Sequence, residues 1–172
     1  MPFVYKLSRL CHCVVISLLA LVWPISTPGA MELGSYREFT LHHGDEGSLK
    51  HDVILVFHGF ASAMPNGTYK KLRKIFGDRY SVVGVNYDYL DVKANMTELD
   101  VLWHDFLSDR SVTVIGTSLG GFWADYFANR HGIEKVVLVN PAVDPVADLA
   151  QFQGAQFSEK RQKHFHVSQE DI

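Results

Sequence analysis

Cysteine is almost missing from this chain: of 172 residues only Cys11 and Cys13 carry a thiol, and both fall within the first thirty. The remainder therefore has no disulfide framework and does not demand an oxidising compartment. A Cys-x-Cys pair without a second ligand pair is also a weak metal site. Charge of one sign is lacking too. Sixteen Lys and Arg stand against nineteen Asp and Glu, which excludes the basic field a nucleic-acid partner requires. The densest basic run, Lys70-Lys71-Leu72-Arg73-Lys74, reads as the solvated face of a helix. No apolar run is long enough for a comfortable membrane span: Leu10 to Trp23 is interrupted by His12 and Ser17 and ended by Pro24. Neither G-x-G-x-x-G nor G-K-[ST] follows a strand pattern, and no H-x-x-x-H with an acidic partner occurs. Nucleotide and metal chemistry are thereby disfavoured, and no cofactor is implied.

What is present is an alternation of buried strands and amphipathic helices. Asp52 to Phe57 (DVILVF), Ser81 to Asn86 (SVVGVN), Ser111 to Ile115 and Lys135 to Asn140 (KVVLVN) are short, β-branched and nearly continuous in apolarity. Strands buried on both faces look like this. Between them, Tyr69, Leu72, Ile75 and Phe76 mark one helical face, stopped at Gly77. Leu99, Leu102, Trp103 and Phe106 mark a second, with Thr97-Glu98-Leu99-Asp100 as its capped start. Tyr36 to His43 followed by Gly44-Asp45-Glu46-Gly47 reads as a short antiparallel ribbon before the core. Val146 to Phe152 reads as a short helix, and Phe165 to Ser168 as a fifth core strand. The expected class is α/β: a three-layer αβα sandwich on a mostly parallel sheet with right-handed crossovers.

The most informative segment is Gly116-Thr117-Ser118-Leu119-Gly120-Gly121. It follows a strand and opens a helix whose apolar face is Leu119, Phe122, Trp123, Tyr126 and Phe127, with Gly132 as its stop. This is the nucleophile-elbow pattern of α/β-hydrolases, which makes Ser118 Oγ the most reactive atom expected in the chain. A serine at the apex of a sharp strand-to-helix turn leaves no room for side chains two positions before and after, hence Gly116 and Gly120. His58-Gly59-Phe60 ends the first core strand at the same sheet edge. In this architecture the amides of Leu119 and Phe60 would form the oxyanion hole. His58 precedes the nucleophile in the wrong place for a base in this chain order, and reads as a loop anchor. His104, His131, His42, His43 and His51 read as solvent-facing, with His131 at a helix end where a cation suits the dipole.

Together, His58-Gly59-Phe60-Ala61-Ser62, Gly116 to Phe122 and Val137-Leu138-Val139-Asn140-Pro141-Ala142-Val143 resemble the small bacterial esterases of the YqiA/YcfP type, from about Val53 to the C-terminus. The resemblance implies a serine esterase acting on short acyl esters or thioesters. It also implies an acid in the stretch matched by Gln169-Glu170-Asp171, with Asp171 as that acid and Glu170 as the adjacent alternative. In this order a histidine should follow the acid, yet the sequence ends at Ile172. Three readings stay open: an esterase truncated before its base, a triad of Ser118, Asp144 and His164 or His166, and a binding or catalytically defective hydrolase-fold protein with no triad. In the first, one sheet edge should be unpaired and part of one face uncovered.

Residues 1–30 are expected to be leader-like or a spurious extension, with Met31 an alternative start, and 31–172 a partial α/β-hydrolase domain. Lys6 and Arg9 before an apolar run suit a signal peptide, but Pro28 is a poor residue three positions before a cleavage at Ala30. A cytoplasmic location is expected, or export if the leader is genuine. The expected partner is a small acyl ester or thioester.

Overall fold

The computed structural model describes residues 30–32, 40–43 and 49–169. In chain order the elements are β1 (Ala30–Glu32), β2 (Thr40–His43), β3 (Asp52–Phe57), α1 (Gly67–Phe76), β4 (Ser81–Asn86) and α2 (Val92–Leu102), which runs on as a π turn (Trp103–Leu107). They continue with β5 (Ser111–Thr117), α3 (Leu119–His131), β6 (Lys135–Val139), α4 (Pro145–Ala150), β7 (Gly154–Ser158) and β8 (Lys163–Val167). Strand order in the main sheet is β1-β2-β4-β3-β5-β6. The four strands from β4 to β6 are mutually parallel, and β1 and β2 extend the sheet antiparallel at the β4 edge.

Central β3 shows why the sequence takes this form. Val53, Leu55 and Phe57 join the cluster built with α2 and α3, around Leu99, Leu102, Trp123 and Phe127. Ile54 and Val56 pack on the other face with Tyr69, next to Leu72 and Phe76 of α1. A strand covered on both faces needs apolar residues at every position, and DVILVF supplies them. The helix ends follow local chemistry. Asn66 caps α1 by accepting from the Tyr69 amide at 2.9 Å, and Gly132 closes α3 at φ 68°.

Several expectations need correction. Helix α2 begins at Val92, not near Thr97, because Asp91 caps it by accepting from Ala94 N at 2.8 Å. Thr97 lies inside the helix and bonds back to Lys93 O. Ile75 is 69% exposed and belongs to the wet side of α1. The segment expected as a fifth core strand is β8, and it pairs only with β7 in a separate antiparallel hairpin. An apolar-polar alternation sets which residues of a strand share a face, but not which sheet it joins.

Strand β6, expected to be buried, is the edge of the main sheet among the described residues. Its register places Val137 beside Ile115 and Val139 beside Thr117. Val137, Leu138 and Val139 remain 49%, 38% and 46% exposed. Among the described residues this strand is therefore apolar on both faces and only partly covered, a template for adding another strand. Replacing Val137 by Lys should reduce concentration-dependent association in static light scattering while leaving the far-UV circular dichroism unchanged. Equal association in both proteins would show that the β6 edge is not the adhesive surface.

Candidate active site

The elbow is a product of close packing. Ser118 sits between β5 and α3 at φ 53° and ψ −125°, a region an L-residue occupies only at a cost of roughly 1–3 kcal/mol. Three backbone hydrogen bonds hold it there. Ser118 N donates to Val139 O at 3.0 Å, while Ser118 O accepts from Gly121 N at 2.7 Å and Ala142 N at 3.0 Å. A Cβ on Gly116 would lie 2.1 Å from Gly120 O, and one on Gly120 would lie 2.3 Å from His58 O. Both positions admit only hydrogen. Gly121 lies against Pro141, with 2.6 Å between a Cβ there and Pro141 Cβ. Ser118 itself is exposed at the sheet's carboxyl edge.

The early loop is pressed against this turn. A Cβ on Gly59 would stand 3.3 Å from Ser118 Cβ and 3.9 Å from its Oγ. Phe60, Ser118 and Leu119 therefore line one cavity of about 260 Å³, closed by Asn140, Pro141, Ala142, Asp148, Leu149, Gln151 and Phe152. Among the described residues, Asp148 is the only charged side chain in that lining.

His58 is fully buried behind the loop. Its ring stacks on Tyr87 at 4.5 Å and 10°. Nδ1 donates to Gly59 O at 2.7 Å, which leaves Nε2 as an acceptor 3.4 Å from an Arg161 terminal nitrogen. Burial lowers its pKa to about 4, and the Arg161 charge acts in the same direction, so the ring is neutral near pH 7. The Tyr87 hydroxyl donates to His58 O at 2.5 Å, and burial pushes this phenol up. Tyr87 and Arg161 were not visible as site residues in the sequence, since nothing local to either marks a link to the loop.

Asp144, His164 and His166 do not line the cavity at Ser118. Asp144 caps α4, accepting from Ala147 N at 3.0 Å. His164 and His166 are exposed, on the face of β8 opposite Phe165 and the buried Val167. Asp171 and Glu170 lie outside the described residues. His131 is not solvent-facing: it stacks on Trp103 at 4.7 Å, and burial lowers its pKa despite Asp100 nearby.

The fold has counterparts among solved structures. The chain aligns with an alpha-beta serine hydrolase homologue from Coxiella burnetii at TM-score 0.52 and 17% identity, covering 73% of this chain and 69% of that one. It aligns with alpha/beta hydrolase domain-containing protein 10 from mouse at TM-score 0.52 and 13% identity, covering 83% and 67%. The architecture is that of an α/β-hydrolase. Residues 53–172 match the uncharacterised protein family UPF0227, and the chain belongs to that family. A UPF0227 protein from Shewanella loihica is 32% identical over 132 residues, 63% of this chain and 68% of the relative. One from Shewanella woodyi is 34% identical over 96 residues, 54% of this chain and 52% of the relative. The chain thus spans from 52% to 68% of these relatives' length. No helix among the described residues is long and apolar enough to cross a membrane.

Two outcomes follow from the packing. Gly116→Ala should lower stability by about 3 kcal/mol in urea unfolding, the upper end for overpacking, because backbone rather than a mobile side chain occupies the space. For His58, the unfolded chain takes up a proton near pH 6.5 and the folded chain only near pH 4. Between those values the unfolded state holds more protons, so stability falls as pH is lowered, by about 3 kcal/mol over the window. His131 shifts the same way. His58→Phe should therefore flatten part of the profile of unfolding free energy between pH 6.5 and 4; an unaltered slope would contradict the burial argument.

Proposed function

We propose that this chain is a serine hydrolase of short, uncharged carboxylic esters or thioesters. The observation that carries the reading is the exposed Ser118 on its strained, glycine-flanked turn, beside the His58-Gly59-Phe60 loop. Ser118 Oγ attacks the acyl carbonyl, and the amides of Leu119 and Phe60 receive the oxyanion. The alcohol or thiol departs with the proton taken from Ser118 Oγ, and water then releases the acyl group as the acid and returns a proton to Ser118. Each donor is worth about 3 kcal/mol in such sites. Asp171 is the proposed acid.

The cavity supports the substrate class. At about 260 Å³ it lies below the usual span for ligand pockets. Phe60, Leu149 and Phe152 suit a small apolar acyl group, and Asp148 opposes an anionic one. The proton on Ser118 needs a base, and none of the described histidines stands ready. His58 is engaged with Tyr87, Gly59 and Arg161, while His164 and His166 face away. This favours a second reading, in which the fold binds an acyl ligand without turning it over.

Fluorophosphonate labelling and hydrolysis of p-nitrophenyl esters separate the two. The hydrolase reading expects labelling at Ser118 and faster turnover of the acetate than of the laurate. It also expects a loss of at least about 10³-fold in kcat/KM on Ser118→Ala, since triad members act as a unit. If a well-folded protein is not labelled, and Ser118→Ala leaves its weak background hydrolysis unchanged, the binding reading stands.

A further inference from the structure

The hairpin of β7 and β8 lies outside the main sheet, yet its turn reaches across to the loop that flanks Ser118. Ser158 is fully buried; its hydroxyl donates to Ala61 O at 2.8 Å and accepts from Arg161 N at 3.2 Å. The Arg161 guanidinium then meets three groups of the loop and its support. Nε donates to Ser62 O at 3.1 Å, and one terminal nitrogen lies 2.7 Å from Tyr87 O and 3.4 Å from His58 Nε2. The cation also lies over the Tyr89 ring, 4.7 Å from its centre.

The loop needs such a brace. Ala61, the residue after Phe60, has φ 53°. A non-glycine residue there costs roughly 1–3 kcal/mol and persists only when its surroundings over-determine it. Within the loop, Gly59 O accepts from His58 Nδ1 at 2.7 Å and from Ser62 N at 3.3 Å, and neither bond reaches the carbonyls of Ala61 or Ser62. Capturing the carbonyls of Ala61 and Ser62 fixes the peptide planes that follow Phe60. On the other side, Tyr87 captures His58 O and Gly120 abuts it. Phe60 is also pinned by its ring, 5.6 Å from Phe165 of β8 and 5.0 Å from Tyr89.

We propose that Arg161 is a positioning residue for the oxyanion loop: the hairpin delivers its guanidinium to the backbone of residues 58–62 and holds the Phe60 amide beside Ser118. The catalytic part of this assignment rests on the hydrolase reading above; the bracing of the loop does not. A lysine cannot replace the group, because a point charge on a flexible stem lacks the planar fork that serves several acceptors at once.

Hydrogen exchange followed by mass spectrometry, together with p-nitrophenyl acetate kinetics, tests this on the full chain. In Arg161→Met, peptides covering 58–62 should exchange at least about 10-fold faster while β3 and β5 are unchanged. The kcat should fall about 10- to 100-fold with KM little altered, a misdirected donor costing somewhat less than a deleted one. Arg161→Lys should fail to restore either property. It also serves as the comparison if the Met variant does not fold. Arg130→Ala, which breaks the exposed pair with Asp100 elsewhere on the surface, should alter neither.

Unchanged exchange over 58–62 in both Arg161 variants overturns the proposal, and so does faster exchange at unchanged kcat. If the wild-type chain shows no Ser118-dependent hydrolysis, the hydrolase reading fails by itself. The exchange comparison then decides the bracing role of Arg161.

Discussion

The approach of Gly120 to the end of β3 is the contact on which the site depends. The first turn of α3 lies so near His58 O and Phe57 O that a methyl group would fall 2.3 and 2.6 Å from them. That approach brings the loop after β3 and the turn after β5 to one side of the sheet. The parallel register then sets Phe57 level with Gly116. Ser118 and Phe60 become neighbours because one glycine removes a side chain, although nearly sixty residues separate them in sequence.

Strain is distributed around this contact in a consistent way. Ser118, Ala61 and Asn140 all carry positive φ, and all three lie on segments following β5, β3 and β6. Each is a point where the chain leaves a parallel strand at the carboxyl edge. The cost is offset locally by hydrogen bonds from other elements: β6 and its following loop serve Ser118, and the hairpin serves the carbonyl of Ala61. A net hydrogen bond contributes about 1 kcal/mol, so two or three of them are comparable with the strain at a single residue. Positioned atoms at this edge thus depend on partners distant in sequence.

That explains which parts were legible from the residues. The strands β3 and β4 and the elbow were readable because their signals are local: apolar runs bounded by polar residues, and glycines at fixed offsets from Ser118. The cap at Asp91 was missed because Tyr87-Asp88-Tyr89-Leu90-Asp91 offers two acidic residues and an aromatic interruption, with no periodicity to choose between them. The edge position of β6 was not legible, since KVVLV reads as a strand that should be buried. Arg161 was beyond reach for a different reason. Its role comes from four partners, at positions 58, 62, 87 and 89, and no short window of sequence contains that relation.

Strand β6 links the two unusual features of the molecule. Val139 O receives the Ser118 amide, and Ala142 N, just beyond the strand, returns a bond to Ser118 O. Two of the three hydrogen bonds that hold the strained serine therefore come from β6, whose Val137, Leu138 and Val139 are largely exposed, or from its immediate continuation. Edge strands with few buried side chains open at lower free energy than central ones. Opening of β6 would release Ser118 toward ordinary backbone angles while β3 and β5 stayed intact. The geometry of the elbow is thus coupled to how well β6 is covered, and a change that buries Val137 and Val139 should tighten the serine without touching it.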